Sequence, residues 1–177
     1  PQYSIDEMRK REKMLLDLSP SFKKTFSDTL VRTKLKPFPV LVCPPEEAMS
    51  KVKELVESGD DIDIVFFDLP GTVNNRGVVT VANCMDMIVV PISADKVVLE
   101  SSLAYALKLQ EWLTTGKSQL KGVHMLWNMV DAREKTELYE RYEKLFDELG
   151  LPTMSTKVPD TKKYRREGSE TLERAVF

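Results

Sequence analysis

The chain has 177 residues, of which 42% are hydrophobic and 31% charged. That is enough apolar material for one sizeable core and too much charge for a bundle living in lipid. Lys plus Arg total 26 against 28 Asp plus Glu, a net charge of −2, so there is no global attraction to nucleic acid, although a local basic patch stays open.

The two cysteines, Cys43 and Cys84, are far apart and not in metal-type spacing. This usage points to a reduced, cytoplasmic setting rather than a disulfide framework. No apolar run approaches the ~20 residues of a membrane-spanning helix, and no signal peptide is visible. The chain opens on Pro1 rather than Met, which suggests a piece of something longer.

In chain order, Ser4-Ile5-Asp6-Glu7 has the form of a capping box and predicts a helix to about Leu18, stopped by Pro20. A second helix is expected over 20–33. Residues 39–43 form a short apolar run bounded by prolines and predict a buried strand. Residues 46–58 place Ala48, Met49, Val52, Leu55 and Val56 at helical spacing, with Gly59 as a C-terminal cap. The continuously apolar run 62–67 reads as the strongest strand, a parallel one covered on both faces. It ends in a turn, Asp68-Leu69-Pro70-Gly71.

A short helix is expected over 77–83, a strand over 85–92, a long helix over 99–113 and a strand over 123–127. Asp131 to Glu134 offers a second capping box, opening a helix with Leu138, Tyr142, Leu145, Phe146 and Leu149 on one face and Gly150 at its end. A last short strand covers 154–158, before a polar helical tail. Alternating helices and strands predict one α/β domain over 1–177: a mostly parallel sheet with right-handed crossovers and helices on both faces.

In open parallel sheets, ligands sit beyond the carboxyl ends of strands. Asp68 follows four apolar residues, the Walker B arrangement, in which a rigid strand holds a carboxylate that binds Mg²⁺ or its water. Pro70 and Gly71 would turn the backbone towards a phosphate. The competing reading makes Asp68 a turn former. Asn128 follows the strand 123–127, and its amide can pair with a purine edge or simply close a turn.

Gly116-Lys117-Ser118 resembles the end of a phosphate-binding loop, but the first glycine of that loop would fall at Glu111. The triplet also follows a helix, so it reads as a helix C-terminal turn. His124, the one histidine, reads as structural. Lys162, Lys163, Arg165 and Arg166 cluster around Tyr164, as candidate DNA contacts or as a solvated helix face.

Taken together, these segments resemble the ParA/MinD family of deviant P-loop ATPases. IVFFDLPG at 64–71 is similar to its Walker B strand and D-x-P turn, MIVVPISADKVVL at 87–99 to a strand ending in Pro before a long helix, and LWNMVD at 126–131 to the strand whose Asn faces adenine. VPD at 158–160 resembles the segment flanking the base, YRRE at 164–167 its closing helix, and Pro1-Gln2 the end of a D-x-D-P-Q motif. Within the family, the nearest resemblance is to the ParA-like TraA proteins of conjugative transposons.

The resemblance implies an incomplete P-loop NTPase fold lacking the first strand, phosphate-binding loop, first helix and second strand. It implies that the full-length parent is a Mg-dependent ATPase that dimerises around ATP and acts in DNA partition or conjugative transfer, with a partner DNA-binding protein. Asp68 would hold the metal through water, Gly71 would sense the γ-phosphate beside Pro70, and Asn128, Pro159 and Asp160 would embrace adenine. Without the loop, the chain alone is expected to be inactive, to bind nucleotide weakly at best, and to self-associate through an exposed apolar edge. The alternative is a non-enzymatic α/β binding module that keeps the scaffold without the loop.

Overall fold

The computed structural model describes residues 4–34, 37–59, 62–71, 74–116, 118–134 and 136–161, apart from the side chain of Ser4. Pro1-Gln2, the Ser4 cap, the tail from Lys162 and its cluster of Lys162, Lys163, Arg165 and Arg166 lie outside the described residues. The chain divides into two compact units, Pro1–Cys43 with Lys162–Phe177, and Pro44–Thr161.

In the first unit, helix α1 (Ser4–Leu18) packs on α2 (Pro20–Thr33). Ser19 separates them and caps α2, its hydroxyl accepting the Phe22 N–H at 3.3 Å while Pro20 occupies the first turn, where its missing N–H costs nothing. Lys34 closes α2 in the left-handed region, φ 58°. The buried side chains of this pair are polar: Glu12 and Thr29. Glu12 accepts from Arg9 at 2.7 Å, and the Arg9 guanidinium lies 4.8 Å from the Phe38 ring centre. Met14, Leu18, Leu41 and Val42 are exposed, and 39–43 is not a strand. Its apolar run has no neighbouring backbone to pair with among the described residues, and pairing is what makes a strand.

The second unit is α/β. A 3-10 turn (Pro45–Glu47) leads into α3 (Ala48–Glu57), and Gly59 follows at φ +79°. Helix α4 (Arg76–Asn83) is capped by Asn75, whose Oδ1 accepts the Val78 N–H at 3.1 Å, and it buries Val78, Val81 and Ala82. Then come β1 (Met87–Ile92), α5 (Lys96–Thr115), β2 (Gly122–Trp127) and α6 (Thr136–Glu148). Strands β1 and β2 pair in parallel, Met87 opposite Gly122 through Ile92 opposite Trp127. The described residues thus form six α-helices and a two-stranded parallel sheet.

Alternation along the strands decides which face is inside. Val90, Ile92, Val123, Met125 and Trp127 are buried with Leu99, Ala106 and Leu109 of α5 and Tyr139 and Phe146 of α6. On the other face Met87 and Val89 are exposed, while His124 is half-buried and lies against Gly122.

Two strand expectations change here. The run 62–67 is irregular and unpaired, with Ile64 69% and Phe66 91% exposed. A continuously apolar sequence marks a strand that wants cover on both faces; it supplies neither the cover nor the partner. Residues 154–158 do not form a regular strand either. They run parallel to β2 through isolated bridges, Met125 with Thr153 and Val130 with Pro159. From 125 to 130 is five steps and from 153 to 159 is six, so the outer segment carries one extra residue, a bulge that interrupts the ladder, and Pro159 has no N–H to give it.

Helix α6 is rotated relative to expectation. Its inward stripe is Tyr139, Tyr142, Glu143 and Phe146, whereas Leu145 and Leu149 are exposed. It also starts at Thr136, beyond the expected capping box. Gly116 ends α5 at φ 62°, in the left-handed conformation of a helix C-terminal turn. Both cysteines are free and half-buried, and no described helix is long and apolar enough to cross a membrane.

Candidate functional site at the carboxyl ends of the parallel strands

Three segments converge where the parallel strands end. The Asn128 N–H donates to Ile92 O at 2.7 Å, continuing the β1–β2 ladder by one residue. On the other side of β2, the Val158 N–H donates to Trp127 O at 2.8 Å, the Val130 N–H to Val158 O at 3.0 Å and the Asp160 N–H to Val130 O at 2.9 Å. Asn128, Pro159 and Asp160, far apart in sequence, therefore share one end of the sheet. Asn128 and Asp160 are half-buried and Pro159 is exposed.

The Asn128 side-chain oxygen accepts the Met129 N–H at 2.9 Å. This fixes the amide orientation and directs the NH₂ group away from that contact. Met129 takes φ 56°, a left-handed conformation that a methionine rarely adopts. The turn pivots the chain out of β2, and Met129 itself is exposed.

Beyond it, Asp131 forms a tight local pair with Arg133. Its Oδ1 accepts the Arg133 backbone N–H at 2.9 Å, and Nη2 donates to Oδ2 at 2.6 Å. The side-chain hydrogen bond from Arg133, followed by its backbone N–H, holds the Asp131 carboxyl down at about 2. Asp131 is thus an Asx-turn residue rather than the start of a capping box, because its carboxylate reaches the N–H two residues on. Asp131, Arg133, Glu134 and Leu138 line a shallow, open depression at this end.

The strand ends are fixed from α6. Glu143 Oε1 accepts from Trp127 Nε1 at 2.9 Å and from Lys157 Nζ at 2.7 Å. The Lys157 ammonium also lies 5.3 Å from the Tyr139 ring centre, and the Trp127 and Tyr139 rings meet edge to face at 4.8 Å. Sequence reasoning missed Glu143 and Lys157. The signal was available: Tyr139, Tyr142, Glu143 and Phe146 follow i, i+3, i+4, i+7 spacing, so a carboxylate sits within an apolar stripe and needs a buried donor.

Asp68, Pro70 and Gly71 are placed differently. All three are exposed in the irregular chain after 62–67, and a Cβ on Gly71 would meet nothing within 4 Å. Among the described residues, no group of three or more His, Cys, Asp or Glu side chains gathers into a metal-binding cluster. The fit to ATP and Mg²⁺ is therefore uneven. A base edge has an oriented amide to meet at Asn128, whereas among the described residues Asp68 belongs to no cluster of three or more possible ligands and has no paired strand behind it. Comparison of the chain with protein-family models, curated proteins and solved structures finds no match.

Proposed function

We propose that this chain is the base-binding portion of a ParA-like, Mg-dependent ATPase, acting in DNA partition or in conjugative transfer of a mobile element. The observation that carries the reading is the meeting of Asn128, Pro159 and Asp160 at the carboxyl end of parallel strands. A purine edge needs a fixed donor–acceptor pattern beside a flat apolar surface, and an oriented amide at the same sheet end as a proline ring suits it. In this reading Asp68 holds Mg²⁺ through water, and Pro70 and Gly71 approach the γ-phosphate, once a phosphate-binding loop from outside these 177 residues stands beside them. Phosphoryl transfer rests on that loop, so the chain alone binds nucleotide weakly and does not turn it over.

Amide NMR with ATP tests this. The expected result is millimolar-range binding with shifts confined to 128–131, Val158 and Asp160, reproduced by adenosine and absent with ribose 5-phosphate. Shifts spread over the chain, or none at saturating ATP, would overturn the reading. A clear ATPase rate from the purified chain that disappears in Asp68→Ala would overturn the expectation that the chain alone is inactive. The gene upstream of Pro1 gives an independent check: a G-K-[ST] loop after a strand supports the proposal, and a start codon within a few codons removes it.

The exposure of Asp68, Pro70 and Gly71 favours a second reading, a non-enzymatic α/β binding module in which they are turn residues. It expects no adenosine-dependent shifts.

A further inference from the structure

We infer that Glu143 is a positioning residue, a shared acceptor that ties together the two strand ends carrying Asn128 and Pro159–Asp160. One oxygen, Oε1, takes both the Trp127 indole N–H and the Lys157 ammonium. Trp127 is the residue before Asn128. Lys157 lies one residue before Val158, whose N–H and C=O both pair with the β2 end. Glu143 therefore bonds to β2 one residue ahead of Asn128 and to the outer segment two residues ahead of Pro159.

The need for such a tie follows from the ladder. The bulge between Thr153 and Pro159 leaves only isolated bridges, so backbone pairing alone holds the outer segment loosely. The clamp lies on a rigid base: Trp127 is fully buried, and its ring packs against Tyr139 and Phe146 of the same helix that presents Glu143. The Lys157 side of the clamp lies nearer solvent, the Lys157 side chain 35% exposed and that of Glu143 28%. A charge-assisted bond here is stronger than a neutral one and is set by one carboxylate in a helix whose rotation is fixed by Tyr139 and Phe146. That this tie orders a base site rests on the proposed function; that it orders the strand end does not.

Amide hydrogen exchange on the full chain separates the two. Glu143→Leu is expected to speed exchange at Val130, Val158 and Asp160 about tenfold over amides in the middle of α5, as the loss of a charge-assisted bond predicts. Glu143→Gln keeps an acceptor oxygen for both donors and is expected to stay within a few-fold of the parent. Lys157→Met removes only the solvent-side arm, so it serves even if Glu143→Leu does not fold; it should loosen Val158 and Asp160 while leaving the Trp127 indole N–H resonance in place. Unchanged exchange in Glu143→Leu or Lys157→Met, uniform acceleration across the chain, or a Gln variant as loose as Leu would overturn the clamp. If exchange behaves as expected but adenosine shifts nothing in the parent chain, the clamp stands and the nucleotide reading fails.

Discussion

Asn128 and Met129 are linked by an unusual local bond: the side-chain oxygen of the first accepts the backbone N–H of the second at 2.9 Å, with Met129 held at φ 56°. A left-handed residue with a Cβ costs roughly 1–2 kcal/mol, less for Asn or Asp, whose side chains bond locally. Met129→Asn should therefore stabilise the chain by roughly 0.5–1 kcal/mol in urea unfolding, because the exposed methionine gives up little packing.

Gly116 makes the mirror test. It also sits in the left-handed region, φ 62°, and an added Cβ would meet nothing within 4 Å. Gly116→Ala should cost about 1 kcal/mol from backbone conformation alone. A change beyond about 2 kcal/mol would mean that the α5 terminus makes contacts of another kind.

Phe146 and Phe66 are the same residue type in opposite settings, one fully buried and one almost wholly exposed. Phe146→Ala should lose about 3–5 kcal/mol by removing a ring packed on Trp127 and Tyr142. Phe66→Ala should leave the unfolding free energy from urea within about 0.5 kcal/mol of the parent.

Exposed Ile64 and Phe66 also make residues 64–67 a hazard in solution, since an exposed apolar run invites association with another chain. Light scattering against concentration should show self-association of the parent. Phe66→Ser together with Ile64→Lys should reduce it without changing thermal stability. A monodisperse parent at high concentration would count against the idea.

The pH response of Asp131 has a definite sign. Its folded carboxyl is lowered from 3.8 to about 2 by the Arg133 hydrogen bond. The stabilisation it contributes is thus fully present above about pH 4 and fades as pH falls towards 2. A carboxyl NMR titration should give that low value in the parent and a return towards 3.8 in Arg133→Ala. Both side chains are at the surface, so the effect on overall stability stays small and weakens with salt.

The helices and the β1–β2 pair were legible because local rules sufficed. Pro20 marked the join of α1 and α2, Gly116 the end of α5, and the apolar runs of β1 and β2 found each other across the α5 crossover. The runs at 39–43 and 62–67 carried an equally strong apolar signal and did not become strands. Composition reports what a segment would bury, and only a partner decides whether it does. At the candidate site, Asn128, Pro159 and Asp160 were found from the position of strand ends and a family resemblance. Glu143 and Lys157 were not, because α6 was read with its stripe through Leu145 and Leu149, one position away from the residues that turn inward.

The extra residue between Thr153 and Pro159 is slack in the outer segment. Removing one residue from 154–156 would leave five steps from Thr153 to Pro159 against the five from Met125 to Val130, so the segment would match β2 step for step with Pro159 still opposite Val130. A single-codon deletion would then turn two isolated bridges into a continuous third strand without changing which residues stand at the strand end. The identity of Pro159 and Asp160 fixes the chemistry of the wall at that end, and the length of the segment ahead of them fixes how firmly it is held.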